Sequence, residues 1–342
     1  MSNLPSSANV RTAFITGATG QDGSYLADQL AGQGWSVHAL VRTAPAKGTV
    51  VGDRAFSLHL GDLSDHNNLK RVLQTIQPDV VFNLAGSSSV AESWEDPAAT
   101  ISVNATSVAA LMESTWKLQQ DAGKEIRFVQ ASSAEIFGSS TDVPQNELSR
   151  ICPVSPYGAS KALAHHLVGV YRRRGMFVSS AILYNHESPR RPAKFVTRKI
   201  TSQVARIALG HLETLDLGNL DATRDWGWAP DYVDSLVRMA TYKDPDDFVI
   251  ATGISHTVRD FVRRAFESAG ISHWEKHVRV DPRFIRPIDA SEMRGDASKA
   301  QRLLDWKPTV DFGEMVSQMV QNDLVVEAKR LETPHTSSRG GK

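Results

Sequence analysis

The sequence predicts an α/β protein: a doubly wound parallel sheet with helices on both faces, joined to a smaller mixed α/β lobe. Three observations carry this. Short, apolar, β-prone runs alternate with helix-period segments from residue 12 to about 183, the pattern of parallel strands joined by crossover helices. Gly17, Gly20 and Gly23 fall between the first such run and the first helical segment. The 342 residues are 41% hydrophobic and 22% charged, which supports a large core of ordinary soluble composition.

Residues 12–16 form the first strand, and Gly17-Ala18-Thr19-Gly20-Gln21-Asp22-Gly23 leads from it into a helix over 24–31. Strand, glycine turn and helix in that order make a Rossmann-type dinucleotide site. The glycines admit a pyrophosphate to the backbone, and the helix start faces its charge. Gly17, Gly20, Gln21, Asp22 and Gly23 are therefore candidate cofactor residues. A second strand over 36–41 ends at Arg42, and no Asp or Glu stands between Ser36 and Lys47. An acid near this point serves the ribose hydroxyls of NAD, whereas an arginine suits the 2′-phosphate of NADP. A third strand over 56–60 runs into Asp62 and Leu63, with Asp62 placed to accept from an adenine amino group. A helix over 67–77 precedes a buried strand over 80–85, which brings Leu84 and Ala85 to its end. The polar loop Gly86-Ser87-Ser88-Ser89, a helix over 104–118 and strands over 126–131 and 177–183 follow.

Ligands of such sheets bind beyond the C-terminal ends of the strands. Ser133 and Glu135 stand just past one such end. Tyr157 and Lys161 are four residues apart on one face of a helix that Pro156 opens and Ser155 caps. An ammonium beside a phenol favours the phenolate, a usable base. After residue 184 the pattern loosens. Residues 185–191 and 224–227 read as polar loops, 213–217 and 249–253 as strands, and 195–208, 258–269 and 312–329 as helices. The expected organisation is a tail over 1–10, an NADP-binding domain over 11–184, a substrate lobe over 185–330 that sends segments back to the sheet, and a tail over 331–342.

Lys and Arg total 38, as do Asp and Glu, so the formal net charge is zero. This argues against nucleic acid or a membrane surface as the main partner. Cys152 is the only cysteine, so no intrachain disulfide or cysteine-based metal site is expected, and no metal is implied. No apolar run reaches spanning length. The opening residues lack a basic start and an apolar stretch, and a cytoplasmic protein is expected. Arg172-Arg173-Arg174 closes a helix, where cations favour the dipole. Adjacent His165 and His166 point in different directions, and Trp226 and Trp228 read as packing residues.

With the glycine turn, Ser133 and Tyr157-Gly158-Ala159-Ser160-Lys161 together, the chain resembles the extended short-chain dehydrogenase/reductase family. Longer stretches are similar to GDP-mannose 4,6-dehydratases: Leu183-Tyr184-Asn185-His186-Glu187-Ser188-Pro189-Arg190-Arg191, Phe195-Val196-Thr197-Arg198-Lys199-Ile200, Leu217-Gly218-Asn219-Leu220-Asp221-Ala222, Arg224-Asp225-Trp226-Gly227 and Asp231-Tyr232-Val233. The resemblance spans about residues 11 to 329. It implies a catalytic hydroxyl, glutamate, tyrosine and lysine at Ser133, Glu135, Tyr157 and Lys161. It also implies NADP as cofactor, with Tyr157, Lys161 and His186 among its contacts, and a GDP-sugar held by Ser89, Asn185, Val196, Lys199, Arg224 and Arg286.

The implied reaction is an internal redox dehydration giving a 4-keto-6-deoxy sugar. In it Tyr157 takes the proton of the 4-hydroxyl and Glu135 that of carbon 5. The chain departs from the family at Ser133, where threonine is usual, and at Ala134, where a second hydroxyl is usual. It departs again at Ser89, where a histidine is frequent, and at Thr43-Ala44-Pro45, a shorter stretch without the second arginine and the serines. Relatives use that last stretch in a tetramer, and they dimerise through helices equivalent to 104–118 and 156–175. A homodimer or homotetramer is expected. The alternatives are an epimerase or dehydratase for another GDP-sugar, such as a heptose, and a non-catalytic nucleotide-binding protein.

Overall fold

The computed structural model describes residues 10–44, 56–284 and 292–332. Its strands are β1 (Thr12–Thr16), β2 (Ser36–Val41), β3 (Ser57–Leu60), β4 (Val80–Asn83), β5 (Arg127–Ala131), β6 (Val178–Leu183), β7 (Asn185–Glu187), β8 (Leu215–Leu217), β9 (Thr223–Trp228), β10 (Asp247–Ile250), β11 (Ser255–Thr257) and β12 (Val278–Val280). Its helices are α1 (Gln21–Gly32), α2 (His66–Ile76), α3 (Val90–Glu95), α4 (Pro97–Ile101), α5 (Ser107–Ala122), α6 (Pro156–Arg173), α7 (Val196–Ala208), α8 (Ala229–Thr241), α9 (Val258–Ser268), α10 (Ser298–Leu304) and α11 (Phe312–Glu332).

Seven strands form one sheet in the order β10-β6-β5-β4-β1-β2-β3, every neighbouring pair parallel. The doubly wound fold read from the sequence is the fold observed. Apolar clusters cover both faces: Ile15, Leu26, Phe82 and Val129 belong to one, Phe14, Val81, Leu111 and Phe128 to the other. The strand order reverses between β1 and β4, and that switch point opens the crevice in which such sheets bind ligands.

Local chemistry sets the element ends. Asp65 and Asp96 accept amides in the first turns of α2 and α4, and Thr257 with Asp260 makes a capping box on α9. Gly123 closes α5 in the left-handed conformation. The helix expected over 104–118 is longer and interrupted. It opens as α4, passes through a π turn over Ser102–Thr106 and continues as α5.

The remaining elements surround a third core, including Ile200, Val204, Trp226, Phe261, Phe266 and Met319. Trp226 packs edge-on against Phe261 and stacks with Phe312. Two expected loops are strands here. Residues 185–187 are β7 and the stretch from Arg224 to Gly227 lies in β9. The two pair in parallel, Asn185 opposite Trp226, and β11 joins β9 antiparallel. Polar and charged residues hide the alternation in both, and the pairing comes from partners about forty residues away in the chain. β10 adds to the edge of the main sheet beside β6, and α8 packs with it on one of the apolar clusters.

Asp225, fully buried on β9, fastens this region. Its Oδ1 accepts from the Thr252 amide (2.9 Å) and hydroxyl (2.6 Å), and its Oδ2 accepts from the amides of Gly253 (2.8 Å) and Gly295 (3.3 Å). Asp225→Ala strands these buried donors. It is expected to cost about 3 kcal/mol or more in urea unfolding, and a change under about 1 kcal/mol would show that the carboxylate does not hold the lobe together.

Candidate active site

The glycine turn is pressed against the end of β4. Gly17 has φ +77°, and a Cβ there would lie 2.8 Å from the Ala85 nitrogen and 2.9 Å from the Leu84 carbonyl carbon. A Cβ on Gly23 would lie 2.2 Å from the Gly17 oxygen, so α1 begins in direct contact with the turn. Gly20 caps α1 without any side-chain hydrogen bond, which leaves amide donors of the first turn for an anion. Arg42 is exposed at the end of β2. Its charge reaches Asp62, whose carboxyl sits below its ordinary range, first through Ser64 hydrogen bonds and also through Arg42. Amide donors, an arginine and an acceptor in this order fit a dinucleotide bearing a 2′-phosphate.

A buried polar ladder runs from this turn across the sheet. The Thr16 hydroxyl donates to Asn83 Oδ1 (2.6 Å), Asn83 Nδ2 to Gln130 Oε1 (2.7 Å), and Gln130 Nε2 to the Ala131 carbonyl (2.9 Å). Lys161 Nζ donates to the same carbonyl at 2.9 Å. The Ala85 amide closes the other end on the Thr16 hydroxyl at 3.2 Å.

Ser133 is the N-cap of a short 3₁₀ turn over Ala134–Ile136, and its hydroxyl accepts the Glu135 amide. The same hydroxyl stands near the Tyr157 phenol and favours its ionised form. Tyr157, Ser133 and Lys161 are all buried, and Glu135 is half-buried. A Cβ on Gly158 would lie 2.6 Å from the Glu135 carbonyl oxygen, so the first turn of α6 touches the turn that carries Ser133 and Glu135. The four residues expected to act together do converge.

Burial pushes the Tyr157 phenol up to about 12; the Ser133 hydroxyl opposes it and the Glu135 charge adds to it. Burial pulls Lys161 down to about 8 against the charge of Asp22. Lys161 Nζ lies 5.9 Å from the centre of the Tyr157 ring, so it stands beside the phenol while its bond goes to Ala131. Arg191, 3.1 Å from Glu187, adds a positive charge that favours the phenolate.

His186 joins the glycine turn to the second lobe. Its Nε2 is 2.9 Å from Asp22 Oδ2, its Nδ1 2.7 Å from the Tyr184 carbonyl, and its ring stacks on Tyr232. Gln21 donates to the His186 carbonyl and accepts from Ser188. Burial pulls the imidazole down, but Asp22 outweighs it and the net shift is upward. Asp22 is lowered, burial opposing and His186 dominating the other way. The raised imidazole contributes stability that is full below its ordinary 6.5 and is lost as pH rises through its folded value. The lowered carboxyl contributes above 3.8 and loses this as pH falls through its own.

Among the substrate candidates, Asn185 and Arg224 lie on the paired strands β7 and β9, and Arg224 is buried with Nη1 donating to the Thr223 carbonyl. Val196 opens α7, exposed, under a residue that supplies no side-chain cap. Lys199 follows, its Nζ 2.6 Å from the Asp216 carbonyl and over the Phe284 ring. Ser89 caps α3, accepting the Glu92 amide. Arg286 lies outside the described residues. Around α7, Arg190 pairs with Asp28, Lys194 with Glu92 and Arg198 with Asp323. Among the described residues no three His, Cys, Asp or Glu side chains gather as a metal site.

Three positions escaped the sequence reading. Ser93 accepts the Tyr157 amide, Gly158 admits the Glu135 backbone, and Asn104, inside the π turn, binds the Ser87 amide and carbonyl and the Ser160 hydroxyl. Each works through distant backbone and carries no local signal.

A sequence profile of GDP-mannose 4,6 dehydratase matches residues 14–319. The chain belongs to the GDP-mannose 4,6-dehydratase family. It is 44% identical to GDP-mannose 4,6 dehydratase 1 of Arabidopsis thaliana, over 94% of this chain and 91% of the relative. It is 40% identical to the GDP-mannose 4,6-dehydratase of Vibrio cholerae, over 92% and 94%. Among solved structures it is similar to UDP-glucose 4-epimerase of Thermus thermophilus in complex with NAD, with TM-score 0.79 and 26% identity over 91% of this chain and 98% of that one.

Two outcomes test the geometry. Gly158→Ala forces the Glu135 backbone away from α6 and is expected to lower kcat at least about tenfold; an unchanged kcat would show that this contact does not set the site. Asp22→Asn removes the charge that holds His186 up, and the imidazole, titrated by NMR, is expected to fall below its ordinary value because burial and the Arg191 charge then outweigh the Tyr184 carbonyl bond. A value unchanged from the parent protein would place the cause elsewhere.

Proposed function

We propose that this protein dehydrates GDP-mannose to GDP-4-keto-6-deoxymannose with NADP as a catalytic cofactor. The observation that carries this is Glu135 in the turn that Ser133 caps, packed against the first turn of the helix that carries Tyr157 and Lys161. A simple epimerase or 4-reductase needs the hydroxyl, tyrosine and lysine, but has no use for a carboxylate at carbon 5.

The glycine turn and α1 amides would hold the pyrophosphate, Arg42 the 2′-phosphate, Asp62 and Leu63 the adenine end, and Tyr157, Lys161 and His186 the nicotinamide riboside. Bound there, the cofactor supplies the hydride acceptor for carbon 4, the donor for carbon 6 and, when oxidised, a positive charge beside the phenol. Tyr157 takes the proton of the 4-hydroxyl, and Ser133 holds the same oxygen in line. The ketone then acidifies carbon 5. Glu135, half-buried with its backbone against Gly158, removes that proton and passes it to the departing 6-hydroxyl, which leaves as water; carbon 5 then regains a proton, exchangeable with solvent, from Tyr157 as carbon 6 is reduced. Asn185, the uncapped start of α7, Lys199, Arg224 and Arg286 would hold the GDP portion, leaving the sugar over Tyr157.

Exposed Ile101, Leu163 and Val170 on α4 and α6 support pairing with a second copy of the chain. Among the described residues no helix is long and apolar enough to cross a membrane, and the water-soluble substrate and cofactor suit the cytoplasm.

Incubation with GDP-mannose and catalytic NADP⁺, read by mass spectrometry, is expected to show loss of one water from the sugar nucleotide. An unchanged mass, with an epimer or no product, would overturn the dehydratase reading. In heavy water the wild type is expected to place solvent deuterium at carbon 5, and Glu135→Gln to lose both that exchange and product formation by at least about a hundredfold. Full turnover by Glu135→Gln would remove Glu135 from the mechanism.

A further inference from the structure

Tyr157 occupies the second position of α6, where helices leave backbone amides without partners. The amides around it are accounted for. Pro156 has none, Gly158 donates to the Ser155 hydroxyl at 3.0 Å, and Ala159 donates to the Ser155 carbonyl at 2.9 Å. The Tyr157 amide instead leaves the helix. It donates at 3.2 Å to the hydroxyl of Ser93, sixty-four residues earlier in the chain.

Ser93 is built for that task. It is fully buried on α3, and its own hydroxyl proton goes to the Val90 carbonyl at 2.7 Å. The oxygen lone pairs are thereby turned toward Tyr157. α3 follows the polar loop that leaves β4 at the ligand edge of the sheet. Its neighbouring residue Glu92 binds Lys194 Nζ through both carboxylate oxygens at 2.8 Å, and Lys194 stands two residues before α7. The arm that reaches the tyrosine is thus tied on its outer face to the segment that opens α7.

We infer that Ser93 is a positioning residue for Tyr157, fixing its main chain so that the phenol meets Ser133. The inference rests on the reading of Tyr157 as the base at the sugar 4-hydroxyl. Ser155 serves the same helix turn but holds the Gly158 amide, so its loss is a matched test of plain helix capping.

The test compares the wild type with Ser93→Ala, Ser93→Cys and Ser155→Ala. It measures kcat and KM for GDP-mannose, the pH–rate profile, the Tm and hydrogen exchange at the Tyr157 amide. Ser93→Ala is expected to lower kcat at least about tenfold with KM within about twofold, and to speed exchange at the Tyr157 amide. The rising limb of its pH profile is expected to move to higher pH, because a displaced phenol moves away from the Ser133 hydroxyl that favours ionisation. Ser93→Cys keeps the size with a weaker acceptor and is expected to fall between, which carries the test if the alanine variant fails to fold. Ser155→Ala is expected to lower Tm comparably with a smaller loss of kcat. Unchanged kcat in either Ser93 variant would overturn the inference, as would kcat losses that track Tm equally at Ser93 and Ser155. If the wild type fails to turn over GDP-mannose, the functional reading falls by itself; unchanged exchange at Tyr157 in Ser93→Ala would then overturn the positioning as well.

Discussion

The hydrogen-bond ladder from Thr16 through Asn83 and Gln130 to the Ala131 carbonyl and Lys161 is the constraint on which the site depends. It crosses β1, β4 and β5 at their ligand ends and terminates on the helix that carries Tyr157. Each member is buried, so an unmade bond anywhere along it would leave a polar group away from water, at about 1–3 kcal/mol apiece. The glycine turn and the Tyr157 helix are therefore held in one frame, although 140 residues of chain separate Gly17 from Tyr157.

A second set of contacts closes the frame from the other lobe. Gln21, Asp22, Ser24 and Asp28 on α1 bind His186, Ser188 and Arg190. The dinucleotide turn and the β7 segment are thus two sides of one structure, and the candidate sugar-nucleotide residues Asn185, Val196 and Lys199 follow directly from it in the chain. Burial at their junction works against ionising Tyr157 and against charging Lys161. Ser133 and Arg191 oppose that at the phenol. The proton chemistry is consequently governed by a few fixed dipoles and charges and little by solvent.

Much of this was legible in the sequence, for identifiable reasons. The strand over 36–41 matches β2 residue for residue, and the remaining parallel strands up to β6 were found within one or two residues. Fully buried strands between helices carry unbroken apolar runs. The residues at 133, 135, 157 and 161 could be placed at one edge because strand ends and helix faces have fixed periodicities. The second lobe was harder to read. β7 and β9 carry Asn185, Glu187, Arg224 and Asp225, and the partners that make them strands are distant in sequence. The π turn around Asn104 was invisible inside a long helical pattern. Ser93 and Gly158 act through the backbone of residues that come together only on folding.

The most direct measurement of the central claim, that one site carries both halves of an internal redox dehydration, is the fate of deuterium placed at carbon 4 of GDP-mannose. The account predicts its recovery at carbon 6 of the 4-keto-6-deoxy product, with the NADP supplied remaining oxidised at the end. Deuterium released to solvent, restored to carbon 4, or accumulated in reduced cofactor would contradict it.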